Sequence, residues 1–163
     1  MSKYDGQGYI ARVMPEVYTD GEGIRVSVYV SGCTFHCKDC FNASIWGFNK
    51  GRQFDELVLD EIINYLRKPY IQGVSILGGE PLQNLIIVNP LIKRVRKEFG
   101  QEKDIWMWSG YMREYIERDP DLKAVLDQID VLVDGPFVNY LKDLSLKFRG
   151  SYNQRIHYLS NQQ

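Results

Sequence analysis

Residues 24–40 read IRVSVYVSGCTFHCKDC: an alternating stretch, Ile24 to Val30, runs straight into cysteines at 33, 37 and 40. Alternation of this kind has strand period, with Val26, Val28 and Val30 or their neighbours turned toward a core. Cys33, Cys37 and Cys40 are the only cysteines in the 163 residues. Three readings of them compete. Free buried thiols suit a residue type that is usually inside, but not three of them in one loop that also carries His36, Lys38 and Asp39. Disulfides suit neither an odd number nor a cytosolic chain. A Cys₃His zinc site would take His36 as its fourth ligand, yet His36 immediately precedes Cys37 and no second Cys or His pair follows. A [4Fe–4S] cubane normally takes four thiolates. Three would leave one iron open, and an open position marks a metal centre that binds something rather than one that only braces structure.

Working outward, Leu59, Ile62, Ile63 and Leu66 repeat at helical spacing, with Pro69 as the stop. Gly73 to Leu77 is a short buried strand closed by Gly78-Gly79-Glu80-Pro81. A helix is expected from Leu91 to Phe99, ending at Gly100, and a strand from Asp104 to Trp108. A polar helical stretch runs from Arg113 to Gln128, broken near Pro120, and a last strand runs from Asp130 to Asp134 before Gly135-Pro136. Strands alternating with helices predict an α/β fold with a mostly parallel sheet. The strands are too few for an eightfold barrel, so an open or partial barrel in a single domain, residues 1–163, is expected. Ligands of such sheets sit at the carboxyl ends of the strands. The segments 33–40, 78–81, 109–111 and 134–136 all fall there, so four loops are expected to meet at one mouth.

Composition narrows the function classes. Hydrophobic residues make up 44% and charged residues 25%, with a net charge of −1, which is ordinary for a globular protein and offers no global basic field for nucleic acid or anionic membrane. No run approaches the length of a membrane span, and MSKYDGQGY is too polar for a signal peptide, so a cytoplasmic protein is expected. The cluster Lys93-Arg94-Val95-Arg96-Lys97 reads first as the solvated face of a helix and second as a docking patch.

Cys33-x3-Cys37-x2-Cys40 after one strand and Gly78-Gly79-Glu80-Pro81 after the next resemble the radical S-adenosylmethionine (SAM) enzymes. Asp20-Gly21-Glu22-Gly23-Ile24-Arg25, Trp108-Ser109-Gly110-Tyr111, Val131-Leu132-Val133-Asp134-Gly135 and the segment Phe148 to Arg155 narrow the likeness. Together they are similar to the activating proteins of anaerobic ribonucleoside-triphosphate reductase, from about Asp20 to Leu159. The resemblance implies an open partial (β/α) barrel of radical SAM type with its core at about residues 20–159. It implies one [4Fe–4S] cluster on Cys33, Cys37 and Cys40, whose open iron is chelated by SAM. Reductive cleavage of SAM would give methionine and a 5′-deoxyadenosyl radical, and hydrogen abstraction would leave a glycyl radical on the large subunit of the reductase. The electron would come from a donor such as flavodoxin or ferredoxin; neither nucleic acid nor membrane is an expected partner.

For single residues the resemblance implies that Asp39, Cys40 and Phe41 touch SAM, with Phe41 against the adenine. Gly78 and Gly79 would admit the methionyl end to the backbone, and Glu80 would order that loop or accept from the amino group. Ser109 and Tyr111 would line the mouth or serve structure, Trp106 and Trp108 would be core, and Asp134 would face the ligand or form a turn. Phe148 to Arg155 would lie at the mouth, with Arg149 and Arg155 contacting the reductase or strapping the barrel wall. The alternatives are an activase of another glycyl-radical enzyme, of pyruvate formate-lyase type, and a zinc-braced interaction module without catalysis.

Overall fold

The computed structural model describes residues 8–37, 40 and 43–159. Seven strands form one sheet: β1 (Tyr9–Val17), β2 (Ile24–Val30), β3 (Arg52–Gln53), β4 (Ile71–Gly78), β5 (Asp104–Ser109), β6 (Val131–Asp134) and β7 (Arg155–Tyr158). Their order is β3-β1-β2-β4-β5-β6-β7. The central pairs β2–β4, β4–β5 and β5–β6 are parallel, whereas β1–β3, β1–β2 and β6–β7 are antiparallel. The sheet is therefore parallel only at its centre, and it is open, with β3 and β7 at its edges. Each central crossover carries helix: α1 (Glu56–Leu66) before β4, α2 (Leu85–Phe99) before β5, and α3 (Arg113–Arg118) with α4 (Pro120–Leu126) before β6. None of the described helices is long and apolar enough to cross a membrane.

Strand period sorts the side chains onto two faces. Val26, Val28, Val74, Ile76, Ile105, Met107 and Leu132 are buried in the main core with apolar residues of all four helices, among them Ile62, Leu91, Ile116 and Val125. In α1 the Asp55 side chain accepts from the Val58 N–H at 3.0 Å, an N-cap, and Val58, Leu59, Ile62, Ile63 and Leu66 form the buried stripe. The second helix starts at Leu85, six residues before the expected Leu91, with Pro90 inside it. Ile87 and Val88 are fully buried and extend the stripe of Leu91, Ile92 and Val95 one turn back. That burial outweighs the hydrogen bond that proline cannot make. In the third crossover Asp119 caps α4 by accepting from Asp121 and Leu122, and Pro120 takes the first helical position.

The other face of the sheet is polar and aromatic. Trp106, Val131 and Val133 form a second cluster there with Trp108, Phe148 and Ile156. Beside it Arg25 is fully buried. It donates to Ser75 Oγ at 2.7 Å, Asp104 Oδ1 at 2.6 Å, and the carbonyls of Glu22 at 2.9 Å and Val74 at 3.0 Å. The guanidinium sits over the Trp106 ring, 5.4 Å from its centroid. The alternation in Ile24–Val30 thus separates an apolar core from a polar interior, with neither side facing open solvent.

Two strands that pair antiparallel outside the parallel centre, β1 and β7, were not legible in the sequence. β1 lies N-terminal to the resemblance, yet Ile10 is buried in the main core, and β7 is only four residues long. An ion-pair cluster secures β7. Asp134 is fully buried and accepts from Arg113 N–H at 2.7 Å, from Arg155 Nε at 3.1 Å and from Arg155 Nη2 at 2.5 Å. Arg155 also donates to both Glu114 oxygens at 2.9 Å, and His157 Nε2 stands 3.2 Å from Asp134 Oδ2. Burial pushes the Asp134 carboxyl up, but Arg155, the Arg113 amide and His157 hold it, on balance, below its usual range.

Arg25→Met keeps most of the buried volume but leaves Ser75, the carbonyls and Asp104 without their donor, so we expect a loss of about 3 kcal/mol, the lower end for a broken buried pair because Asp104 can rehydrate. Urea unfolding measures it; an unfolding free energy within about 0.5 kcal/mol of wild type would show that the guanidinium is not holding the sheet. Because the folded-state pKa of Asp134 is depressed, its contribution is complete above its unfolded pKa and declines as pH falls from about 4 through the folded value. Asp134→Asn should therefore be less stable at pH 7 and show a shallower acid limb than wild type. Parallel acid limbs in the two proteins would contradict this.

Candidate active site

The carboxyl ends of β2, β4, β5 and β6 meet around a cavity of about 360 Å³. Cys33, Cys37 and Cys40 line one side of it, Gly78 to Glu80 a second, Ser109 and Gly110 a third, and Gly135 and Pro136 a fourth. The four loops expected at one mouth are brought together there. Asp39 and Phe41, expected to touch SAM, lie outside the described residues.

The cysteine loop is tied down at several of its described residues. Its first cysteine donates its backbone N–H to Trp46 O at 3.0 Å, and Cys40 N–H donates to Cys37 O at 3.1 Å. Between them His36 takes a left-handed φ of 48° and stacks its ring on Trp46 with centroids 4.3 Å apart. All three thiols are half-buried. Burial pushes Cys33 and Cys37 up, against backbone hydrogen bonds that favour the thiolate. Among the described residues no three His, Cys, Asp or Glu side chains are gathered as the ligands of a single ion would be. A cubane makes a different demand, since each thiolate meets its own iron. Three thiols on one cavity wall fit that donor set.

The Gly78-Gly79-Glu80-Pro81 turn packs against the cysteine loop more closely than side chains allow. Gly79 N–H donates to Val30 O at 2.9 Å and Glu80 N–H to Gly32 O at 2.8 Å. A Cβ on Gly79 would stand 2.4 Å from Gly32 O, and one on Gly78, at φ 114°, would stand 2.6 Å from Val30 O. The backbone that these glycines approach is the chain's own, at Val30 and Gly32, just before Cys33. Asn84 and Gln83, neither singled out in the sequence, complete the junction. Asn84 Nδ2 donates to Glu80 O at 2.8 Å and Gly32 O at 3.2 Å. Gln83 accepts from Thr34 N–H at 2.9 Å and donates to Thr34 Oγ1 at 2.7 Å and Tyr111 Oη at 3.1 Å. Only their place after Gly-Gly-Glu-Pro could have flagged them.

Other residues fall differently from expectation. Trp108 lines the cavity and is not simply core, and its Nε1–H donates to Phe148 O at 2.6 Å; Trp106 is buried beneath it. Tyr111 packs its ring edge-on to Phe35 and stacks on Tyr115, behind the lining. Asp134 and Arg155 pair in the β7 cluster, the arrangement that the strap reading of Arg155 expects. Arg149 does line the cavity, with Nη1 on the carbonyls of Gln154 at 2.6 Å and Tyr152 at 3.3 Å. Asp20 joins the lining from the loop before β2. Its Oδ2 accepts from Ser27 at 2.8 Å and from the Tyr29 hydroxyl at 2.7 Å, and burial together with Asp20 pushes the Tyr29 phenol well up.

Glu80 holds two of the four loops together. Its buried carboxylate accepts from Gly110 N–H at 2.7 Å, Ser109 Oγ at 2.8 Å and Leu82 N–H at 3.0 Å. Burial raises its pKa to about 7, against these three hydrogen bonds, which favour the ionised form. In Glu80→Gln the amide nitrogen must face one of the backbone N–H groups, which should cost about 1–3 kcal/mol. Amide exchange at Leu82 and Gly110 should quicken at pH 8; unchanged protection at both would show that the loops are held without this carboxylate.

A family model described as a 4Fe-4S single cluster domain matches residues 19–157. The chain is 43% identical over 147 residues to the anaerobic ribonucleoside-triphosphate reductase-activating protein of Haemophilus influenzae, covering 88% of this chain and 93% of that one. It is 44% identical over 149 residues to the protein of that name in Escherichia coli K12, covering 89% and 95%. It is 39% identical over 147 residues to that of Enterobacteria phage T4, covering 89% and 90%. With a cluster-domain match spanning the thiol cavity and relatives this similar over nearly their whole length, the chain belongs to the family of anaerobic ribonucleoside-triphosphate reductase-activating proteins.

Proposed function

We propose that this protein is an iron–sulfur activating enzyme that reductively cleaves SAM and generates the glycyl radical of anaerobic ribonucleoside-triphosphate reductase. The observation that carries the reading is the meeting of Cys33, Cys37 and Cys40 with the Gly78–Glu80 turn in one cavity. The open sheet, with helices on one face and this cavity at the strand ends, suits a partial barrel of radical SAM type. When bound, the cluster would supply one electron to the sulfonium of SAM, giving methionine and a 5′-deoxyadenosyl radical.

The chain's own residues position and enclose. The three thiolates would hold three irons and leave the fourth for the amino and carboxylate groups of SAM. Gly78 and Gly79, pressed against Val30 and Gly32, set the distance between the cysteine loop and the β4 end. Glu80 acts by fixing that turn to Ser109 and Gly110, since its carboxylate is already accepting three hydrogen bonds. Asp39, Cys40 and Phe41 are assigned to SAM from the motif. Trp108 and Phe35 add apolar walls that exclude water from a reactive radical. Flavodoxin or ferredoxin would be the electron donor and the large subunit of the reductase the substrate. The names of the relatives favour this reductase over a pyruvate formate-lyase type of partner.

Replacing Cys33, Cys37 or Cys40 by Ala, one at a time, should cut iron content after anaerobic reconstitution, remove the broad visible absorbance and abolish SAM cleavage, while far-ultraviolet circular dichroism stays that of a folded protein. Full SAM cleavage by any of the three variants, or a colourless wild type carrying stoichiometric zinc, would defeat the reading.

A further inference from the structure

The segment between β6 and β7, residues 135–154, has two sides. Inward, Leu146, Phe148, Arg149 and Gly150 line the cavity. The Phe148 ring packs edge-on against Trp106 with centroids 5.2 Å apart. Outward, Tyr140 is 86% and Leu144 84% exposed, the highest values among the large hydrophobic residues described, and Tyr152 is 58% exposed. Tyr140 and Leu144 belong to neither hydrophobic cluster. Single exposed apolar residues are ordinary. Here the two most exposed lie four positions apart on the segment that walls the cavity.

This segment is ordered by its own bonds. Tyr152 N–H donates to Leu141 O at 3.0 Å, and its hydroxyl donates to Asp143 Oδ2 at 2.7 Å. Gln154 accepts from Gly150 N–H at 2.7 Å and donates to Gly135 O at 3.0 Å. Phe148 is held at φ 66°, a left-handed conformation unfavourable to a bulky side chain that persists only where the surroundings over-determine it. Apolar side chains on a backbone already ordered in the free protein bind without the cost of ordering a loop. Lys142 and Lys147, both exposed, outnumber Asp143 on the outward side of the segment, in a chain whose net charge is −1.

We propose that Tyr140 and Leu144, flanked by Tyr152, are the platform on which the reductase docks to present its backbone to the cavity, through an apolar patch edged by acidic side chains. This rests on the function proposed above. Platform and cavity wall are one segment, so a partner seated on the first is delivered to the second. A second copy would bring the same exposed Lys142 and Lys147 against this patch, whereas an acidic partner complements them.

The test uses anaerobically reconstituted holoprotein and the purified reductase large subunit. Tyr140→Ser/Leu144→Ser is compared with wild type and with Leu57→Ser, a control at a 78% exposed position on α1. The double variant should raise the Kd for the reductase by about tenfold or more, the size of a lost interface anchor pair. Iron content, melting temperature and SAM cleavage without reductase should stay at wild-type values, and the control should bind as wild type. A wild-type Kd in the double variant, equal weakening in the control, or an effect confined to self-association would each overturn the platform. Failure of the proposed function would look different: wild-type holoprotein would not cleave SAM, and the contrast in Kd would still decide the platform.

Discussion

Gly79 N–H on Val30 O and Glu80 N–H on Gly32 O carry the parallel β2–β4 ladder past the ends of both strands. Everything around the cavity depends on that short extension. It brings the residue before Cys33 within a distance of the β4 turn that only glycine permits. Asn84 and Gln83 then tie the two loops side by side, and the Glu80 carboxylate ties the second to the end of β5. Three loops are fixed to one another by backbone groups and three polar side chains, so the thiols face a wall of set shape. A cofactor that offers the hard chemistry needs this from its protein: fixed orientation and a dry, shaped space.

The sheet supports the site from the face that lacks helices. There the interior is polar, and burying polar groups costs free energy unless they are paired. Arg25 meets the requirement with donors to Ser75, Asp104 and two carbonyls, and Asp20 meets it by accepting from Ser27 and Tyr29. Asp20 therefore reaches the cavity edge with one oxygen already committed to the sheet. At the far side Asp134 and Arg155 do the same for β6 and β7. These pairs contribute position more than net stability, because desolvation offsets much of the attraction.

The segment between β6 and β7 connects both regions. Trp108 holds Phe148 by its carbonyl, Phe148 covers Trp106, and Trp106 lies under the Arg25 guanidinium. Cavity wall, aromatic cluster and polar interior form one contiguous structure, and its outer surface carries Tyr140 and Leu144, the most exposed of the large hydrophobic residues described.

The thiol triad, the Gly-Gly-Glu-Pro turn and the central strands and helices were determined by the sequence alone, because each has a local signature: fixed spacing, a turn chemistry, or a period of 2 or 3.6. The convergence of four loops followed from the parallel order of those strands. The remaining features depend on distant neighbours. Period 2 separates Trp106 and Trp108 from Ile105 and Met107 but does not say what covers each face, so the place of Trp108 in the cavity wall was not legible. The need for glycine at 79 comes from Gly32, 47 positions away, and the partners of Arg155, Glu114 and Asp134, come from two other elements. β1 and β7 are strands because an existing edge offers them hydrogen bonds, a stabilisation that no short stretch of sequence carries within itself.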